Sequence, residues 1–291
     1  MRWSASLALA GIFLFAAAGA SAQFSPALLQ NASYWHDGKS EIDFYSADLV
    51  EEGQHYQSEL LMILTAETVE PVALTRAQES NHPATLPVLH LHAQTSLARG
   101  LLLEQRSLEA LWRMDSAALS RLCFTGSDGL GHILQSVREQ REGSTITWKY
   151  SCDTYRSQVE RPPVSSPNGT VVFYDELPMR VRMIDLTQPT GTFEIQLAHS
   201  IVSAKEQEVA FKPATVSYKV EERAINVAVQ QGDAVDHFVM DRDFPFLLRQ
   251  WKMADGSLLK LKNSIKADFA NYAKPGDRER ALKDPMLRHP D

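Results

Sequence analysis

The sequence predicts a mainly β protein: a curved antiparallel sheet or open β-barrel of about ten strands with one or two short helices. Three observations predict it. Apolar and polar residues alternate with a period of two, most cleanly where Phe193, Ile195, Leu197 and Ile201 alternate with Glu194, Gln196, Ala198 and Ser200. Turn residues such as Glu142-Gly143, Gly232-Asp233 and Asp255-Gly256 recur at short spacing between such runs. No stretch carries apolar residues at helical spacing over a length that would supply crossover helices, so repeated β-α-β units are excluded in favour of an antiparallel meander.

In chain order, residues 1–22 read as a secretory signal peptide: Arg2 gives a positive start, Leu7 to Ala18 a short apolar core, and Ala20-Ser21-Ala22 a small-x-small cleavage pattern. The core is shorter than the roughly 20 apolar residues of a membrane span, and no later stretch is longer, so no transmembrane span is expected. Residues 23–273 read as a single mainly β domain. Glu41 to Val50 and Tyr56 to Ala66 pair around Glu51-Glu52-Gly53-Gln54, and Pro71, Pro83 and Pro87 mark a loop before Leu86 to Ser96. Leu101 to Trp112 alternates as a strand, although Leu101, Leu108 and Leu111 also fit helical spacing. Ala118 to Phe124, His132 to Arg138 and Thr145 to Tyr155 follow as strands. The segment 160–170, with three prolines and a glycine, is the most loop-like and is where two lobes would meet. Met179 to Leu186 alternates as a further strand, with Arg180 and Arg182 opposite Val181 and Met183. The late runs end in a hairpin at Asp255-Gly256, in which a two-residue turn sets Trp251 opposite Lys260, Arg249 opposite Lys262 and Phe246 opposite Ile265. Ile265 to Tyr272 fits one short helix, and residues 274–291 read as a charged, flexible tail.

Composition narrows the function classes. Hydrophobic content of 44% and charged content of 22% are those of a globular chain. The net charge is -7, and loss of Arg2 with the leader makes it one unit more negative. An acidic chain has no general attraction to phosphate backbones or anionic lipid, so nucleic acid is excluded as a partner. The localisation expected is export, to a periplasm or to the medium. There an even cysteine count suggests pairing, and Cys123 and Cys152 would close a loop of about 30 residues, worth about 3.5 kcal/mol; two buried free thiols are the competing reading. Ile146, Trp148, Tyr150 and Cys152 share one face of their run, so Cys152 points at the core.

No catalytic residue is assigned and no cofactor is implied: neither G-x-S-x-G nor H-E-x-x-H occurs. Gly126-Ser-Asp-Gly-Leu-Gly131 fits neither glycine-rich phosphate pattern. His90 and His92 share a strand face and could begin a metal site, but nothing nearby in the sequence completes it. His199 lies on the inner register of its run and, with Trp148, Tyr218 and Trp251, forms the candidate lining of a ligand pocket. The acidic pairs Glu51-Glu52, Asp175-Glu176 and Asp241-Arg242-Asp243 read as turn and solvent residues.

Three stretches carry a family likeness: Tyr34-Trp-His-Asp-Gly-Lys-Ser-Glu41, Leu177-Pro-Met-Arg-Val-Arg182, and Phe244-Pro-Phe-Leu-Leu-Arg-Gln-Trp251 with Lys274-Pro-Gly-Asp277. In these the chain resembles a group of exported bacterial proteins of about 290 residues with no established function, some of them labelled septum-formation inhibitors. It also resembles, more faintly, the open-barrel envelope proteins that carry lipoproteins or lipids. The expected role is that of a non-enzymatic envelope protein whose concave sheet face holds a lipid, another apolar ligand or a partner segment. A structural module binding an envelope protein through a sheet edge, and a hydrolase without a recognisable motif, are the alternatives.

Overall fold

Alternating residues build one continuous sheet. In the computed structural model, which describes residues 24–77, 85–127, 131–155, 157–202 and 209–283, the strands are β1 (Ser40–Glu51), β2 (Gln54–Val69), β3 (Leu86–Arg99), β4 (Leu102–Arg113), β5 (Leu119–Ser127), β6 (His132–Glu142), β7 (Thr145–Thr154), β8 (Gln158–Glu160), β9 (Val164–Ser165), β10 (Val171–Phe173), β11 (Thr190–Ala198), β12 (Phe211–Val220), β13 (Ala224–Gln231), β14 (Ala234–Asp241), β15 (Leu248–Lys252) and β16 (Leu258–Ala267). Neighbours run β10 to β16, then β1 to β8, with β9 on β7. All pairs are antiparallel except β10–β11. The first and last long strands meet mid-sheet, β1 on β16. The sheet curls until its ends approach: Trp148 of β7 and Phe173 of β10 meet edge to face at 4.9 Å, without a hydrogen-bonded ladder between them. The leader expected at residues 1–22 lies outside the described residues, as do residues 284–291.

The mainly β, barrel-like and open architecture agrees with expectation, but the count among the described residues is sixteen, not about ten. Three of the extra strands, β8, β9 and β10, are two- or three-residue pairings in and beside the proline-rich stretch read as a loop. The alternative helix at Leu101 to Trp112 is resolved as β4.

Residues 177–183 form a short helix instead of a strand. After Phe173 the chain makes a 3-10 turn (Tyr174–Glu176), an α-helical turn α2 (Leu177–Arg180, following a first one, α1, at Ala32–Trp35) and a second 3-10 turn (Val181–Met183). Pro178 at the helix start and the acids before it favour this conformation. Every residue from Leu177 to Met183 is buried, so the segment threads the concave side as a plug and period-two alternation had no face to report.

The hairpin after β15 is also wider than a two-residue turn. Met253 N–H bonds Ser257 C=O, and Asp255 Oδ1 accepts from Ser257 N–H, so Trp251 pairs with Leu259 and Gln250 with Lys260. The expected Trp251–Lys260 contact is absent; Trp251 stacks on Phe238 at 5.3 Å. Phe246 lies outside the strand with φ 57°.

One-sided burial holds along β11 to β14 and fails at β1, β2, β3, β4 and β16, whose second faces bury Ile42, Ile63, Val88, Leu111 and Ile265. Tyr45 and Ala47 face the large inner core, while Ile42 and Phe44 pack on the outer face with Ile63, Ile265 and Ala281. Ala281 belongs to α3 (Asp277–Lys283), which docks there through Asn263 Nδ2 donating to Ala281 C=O at 2.9 Å. The charged tail expected to be flexible therefore begins with a docked helix. Ile265 belongs to β16, and only Phe269–Tyr272 of the expected 265–272 helix is helical, as a 3-10 turn.

The expected Cys123–Cys152 disulfide is not formed; both thiols are free. Cys123 pairs across to Ser136 on β6, Cys152 to its neighbour Gln135, so the two side chains leave opposite faces of the sheet two strands apart. Two strand spacings are about 9.6 Å, beyond the reach of a bridge. Thiol titration of the denatured chain is expected to find two thiols per chain, with reductant leaving the melting temperature unchanged. Finding none would overturn this arrangement.

Candidate functional site

The plug brings together what the sequence leaves scattered. Glu176, fully buried, accepts from Trp112 Nε1 (2.7 Å), Arg180 Nε (2.8 Å) and its own helix start at Phe173 N–H (2.8 Å). Arg180 also donates to Ala117 C=O at 2.6 Å. Two residues on, Arg182 grips Glu41 of β1 with two bonds of 2.7 and 3.0 Å and donates to Pro245 C=O at 2.9 Å. Tyr34 Oη–H adds a third bond to Glu41 at 2.6 Å. Asp43, next on the inward register of β1, is as buried as Glu41.

Two carboxyls facing one guanidinium in a dry interior cannot both ionise cheaply. Burial raises both. For Glu41 the Arg182 charge and its hydrogen bonds outweigh burial and hold the carboxyl below its usual range. For Asp43 burial and the neighbouring Glu41 charge win, and its carboxyl stays protonated well above the ordinary range. The arrangement is an anchored ion pair with a neutral acid beside it. Two open hollows lie away from this pair, one of about 410 Å³ lined by Thr192, Ser217, Tyr218 and Asn226, another of about 530 Å³ beside Glu59, Gln94 and Arg278.

Three of the four expected pocket residues touch the plug or its two ends. Trp251 packs on Tyr174 at 5.6 Å, Trp148 on Phe173 at 4.9 Å, and Tyr218 Oη–H donates to Asp185 C=O at 3.1 Å. Tyr218 lies over Gly191, where any Cβ would overlap its ring, which is why glycine stands there. His199 falls just past the end of β11 and is half-buried. Burial, and then the Lys212 charge, lower its pKa. Its neighbour Ser200 ties the plug down: Ser200 Oγ–H and Ile201 N–H donate to the two oxygens of Asp175 at 2.5 and 2.6 Å.

His90 and His92 share the outer face of β3, as the alternation implies. Glu67 holds His90 Nδ1 at 2.7 Å; Glu109 lies 4.0 Å from His90 Nε2, 3.7 Å from His92 Nδ1 and 3.6 Å from Arg121. The facing His92 leads the causes that hold Glu109 below its usual range, against its burial. Among the described residues no three His, Cys, Asp or Glu side chains are placed to hold one metal ion.

Sequence reasoning missed Glu41, Asp43, Glu176, Arg180 and Arg182. Signals were present in two places. Glu41 and Asp43 occupy the register of Tyr45 and Ala47, and Asp175-Glu176 before Pro178 is a helix-start pattern.

No family model matches the chain, and no curated protein matches it either. Among solved structures it is similar to a β-barrel-like protein of a domain of unknown function, DUF1849, from Brucella abortus. The two are 11% identical, with a TM-score of 0.42 over 79% of this chain and 98% of that one.

Proposed function

We propose that this chain is an exported, non-enzymatic envelope protein that binds an extended segment of a partner protein by strand addition at β11. The observation that carries the reading is an open edge. Gln196 N–H points away from β12, to Thr170 C=O. The period of two turns the backbone N–H and C=O of Thr190, Thr192 and Glu194 the same way. Among the described residues, β10 covers only Gln196 to Ala198 on that side. An uncovered row of backbone donors and acceptors is a template for another strand. The opposite end of the sheet is capped, with β8 on Ser151 to Asp153 and β9 on Thr147 and Trp148. The concave face, the other place expected to hold a ligand, is filled by the chain's own plug, so an apolar ligand there would first have to displace Arg182 from Glu41.

Thr192→Pro removes one edge N–H without touching the β12 ladder, because Thr192 bonds away from β12. Affinity capture from an envelope extract is expected to recover a partner with the parent chain and with Thr192→Ser, and to lose at least ten-fold of it with Thr192→Pro. Equal recovery with all three chains would sink the reading.

A further inference from the structure

The sheet end that carries the β1–β2 and β3–β4 turns finishes, among the described residues, in aliphatic side chains. The β3–β4 turn reads Arg99-Gly100-Leu101-Leu102-Leu103, with Gly100 at φ 60°. It leaves Leu101 fully exposed, Leu103 56% and Leu102 37% exposed. Gln105 pairs with Ser127 and Ser127 with His132, so the last residue of β5 and the first of β6 lie at the same end. There Leu134 and Tyr155 are 42% and 75% exposed. Of the eight large apolar side chains that stand exposed among the described residues, these make five, so the exposure is concentrated and not scattered.

Charge is cancelled directly behind the leucines. Glu51 takes both Arg99 and Arg106, and Glu104 takes the same two at 2.6 and 2.7 Å. Glu52, on the neighbouring turn, is exposed and acidic. Among the described residues the end is thus apolar at its tip and offers no net positive charge to an anionic surface.

We propose that this end docks on a zwitterionic lipid bilayer, with Leu101, Leu102 and Leu103 entering the hydrocarbon boundary and Tyr155 at the headgroup level. Two arguments favour lipid over a protein groove. Three consecutive residues at a turn point in different directions, which suits a solvent that is apolar on every side; a protein pocket would select alternate residues on one face. Protein interfaces draw their binding energy from Trp, Tyr and Arg, with Leu under-represented, whereas interfacial insertion scales with apolar area, and aromatic residues with a polar tip favour the headgroup zone. The proposal stands apart from strand addition at β11 and uses none of its residues.

Flotation with phosphatidylcholine vesicles tests it, using the exported chain, its Leu101→Asp/Leu103→Asp variant, and Val72→Asp as control. Val72 is 75% exposed just beyond the far end of β2. All three chains are purified after export, without the apolar run Leu7 to Ala18, which could itself carry a chain to a vesicle. The parent and Val72→Asp are expected to float equally, and the double variant to bind about a hundred-fold less, each of its two leucines being worth about ten-fold. The melting temperatures should be equal. A parent chain that stays in solution, or a double variant that floats as the parent does, overturns the proposal. So does binding that appears only with phosphatidylglycerol vesicles and vanishes in salt, since that would be charge-driven.

Discussion

Arg182→Ala is expected to cost the fold about 3–5 kcal/mol, the range for removing one partner of a buried ion pair. The size follows from what is left behind. Glu41 has no exposure to water, and the guanidinium supplies two hydrogen bonds to it, beside those of Tyr34 and the Asp43 carboxyl. Without Arg182 the carboxylate must take a proton or remain charged in a dry interior, and Pro245 C=O loses its donor as well. For a domain of this size the melting temperature should fall by roughly 10 °C. Replacing both partners tests the mechanism separately from the loss. Glu41→Leu with Arg182→Met should recover much of the stability, because well-packed apolar side chains often match a buried pair, and a double-mutant cycle should return a coupling of several kcal/mol. Calorimetric melting of the four chains decides the matter: an Arg182→Ala chain that melts within 2 °C of the parent removes the plug anchor from the account of this fold.

The same pair shows why the sheet was legible in the sequence and its filling was not. A strand with one buried face writes its burial into every second residue, so Phe193, Ile195 and Leu197 announced themselves without knowledge of any partner. The Arg182–Glu41 bond joins residues 141 positions apart, and no local pattern reports such a contact. Residues 177–183 are buried on all sides, which erases both the period of two and the amphipathic stripe of a helix; a run of alternating arginines then passes for a strand. The plug's contacts with Trp251, Trp148 and Tyr218 explain why aromatic residues on the inner face could be picked out as a pocket lining while what they line remained hidden. The cysteines were different, because their misreading was avoidable. Leu122 and Phe124 alternate inward around Cys123, which sends its thiol outward, while Trp148 and Tyr150 send Cys152 inward. The open edge at β11 depends on which strands end the path, and that is fixed by the long-range pairing of β1 with β16.

Asp175→Asn is expected to gain stability relative to the parent as pH rises, by about 3 kcal/mol between pH 3.5 and pH 7. Burial, the leading cause, lifts the Asp175 carboxyl to about 6 against its ordinary 3.8, although Ser200 and Ile201 both donate to it. A shift of about two units corresponds to about 3 kcal/mol by linkage. The sign follows from the direction of the shift. Below the unfolded value the group is protonated in both states and costs nothing. As pH climbs from 4 to 6 the unfolded chain has released its proton and the folded chain has not, so folding must capture one and stability falls. Above 6 the loss is complete and the difference levels off. The parent's own pH profile cannot isolate this, because the Asp43 and Asp236 carboxyls, also raised, lose stability with rising pH in the same sense, while Glu41, Glu59 and Glu109, held below their usual range, gain it below their ordinary value of 4.5. The difference between parent and variant, measured by urea unfolding at half-unit steps, cancels those groups and leaves Asp175. A flat difference from pH 4 to 7 would mean that Asp175 ionises freely in the fold. The seat holding the plug's first turn against Ser200 and Ile201 would then be open to water, and the concave side would be less completely filled than the buried residues from Leu177 to Met183 require.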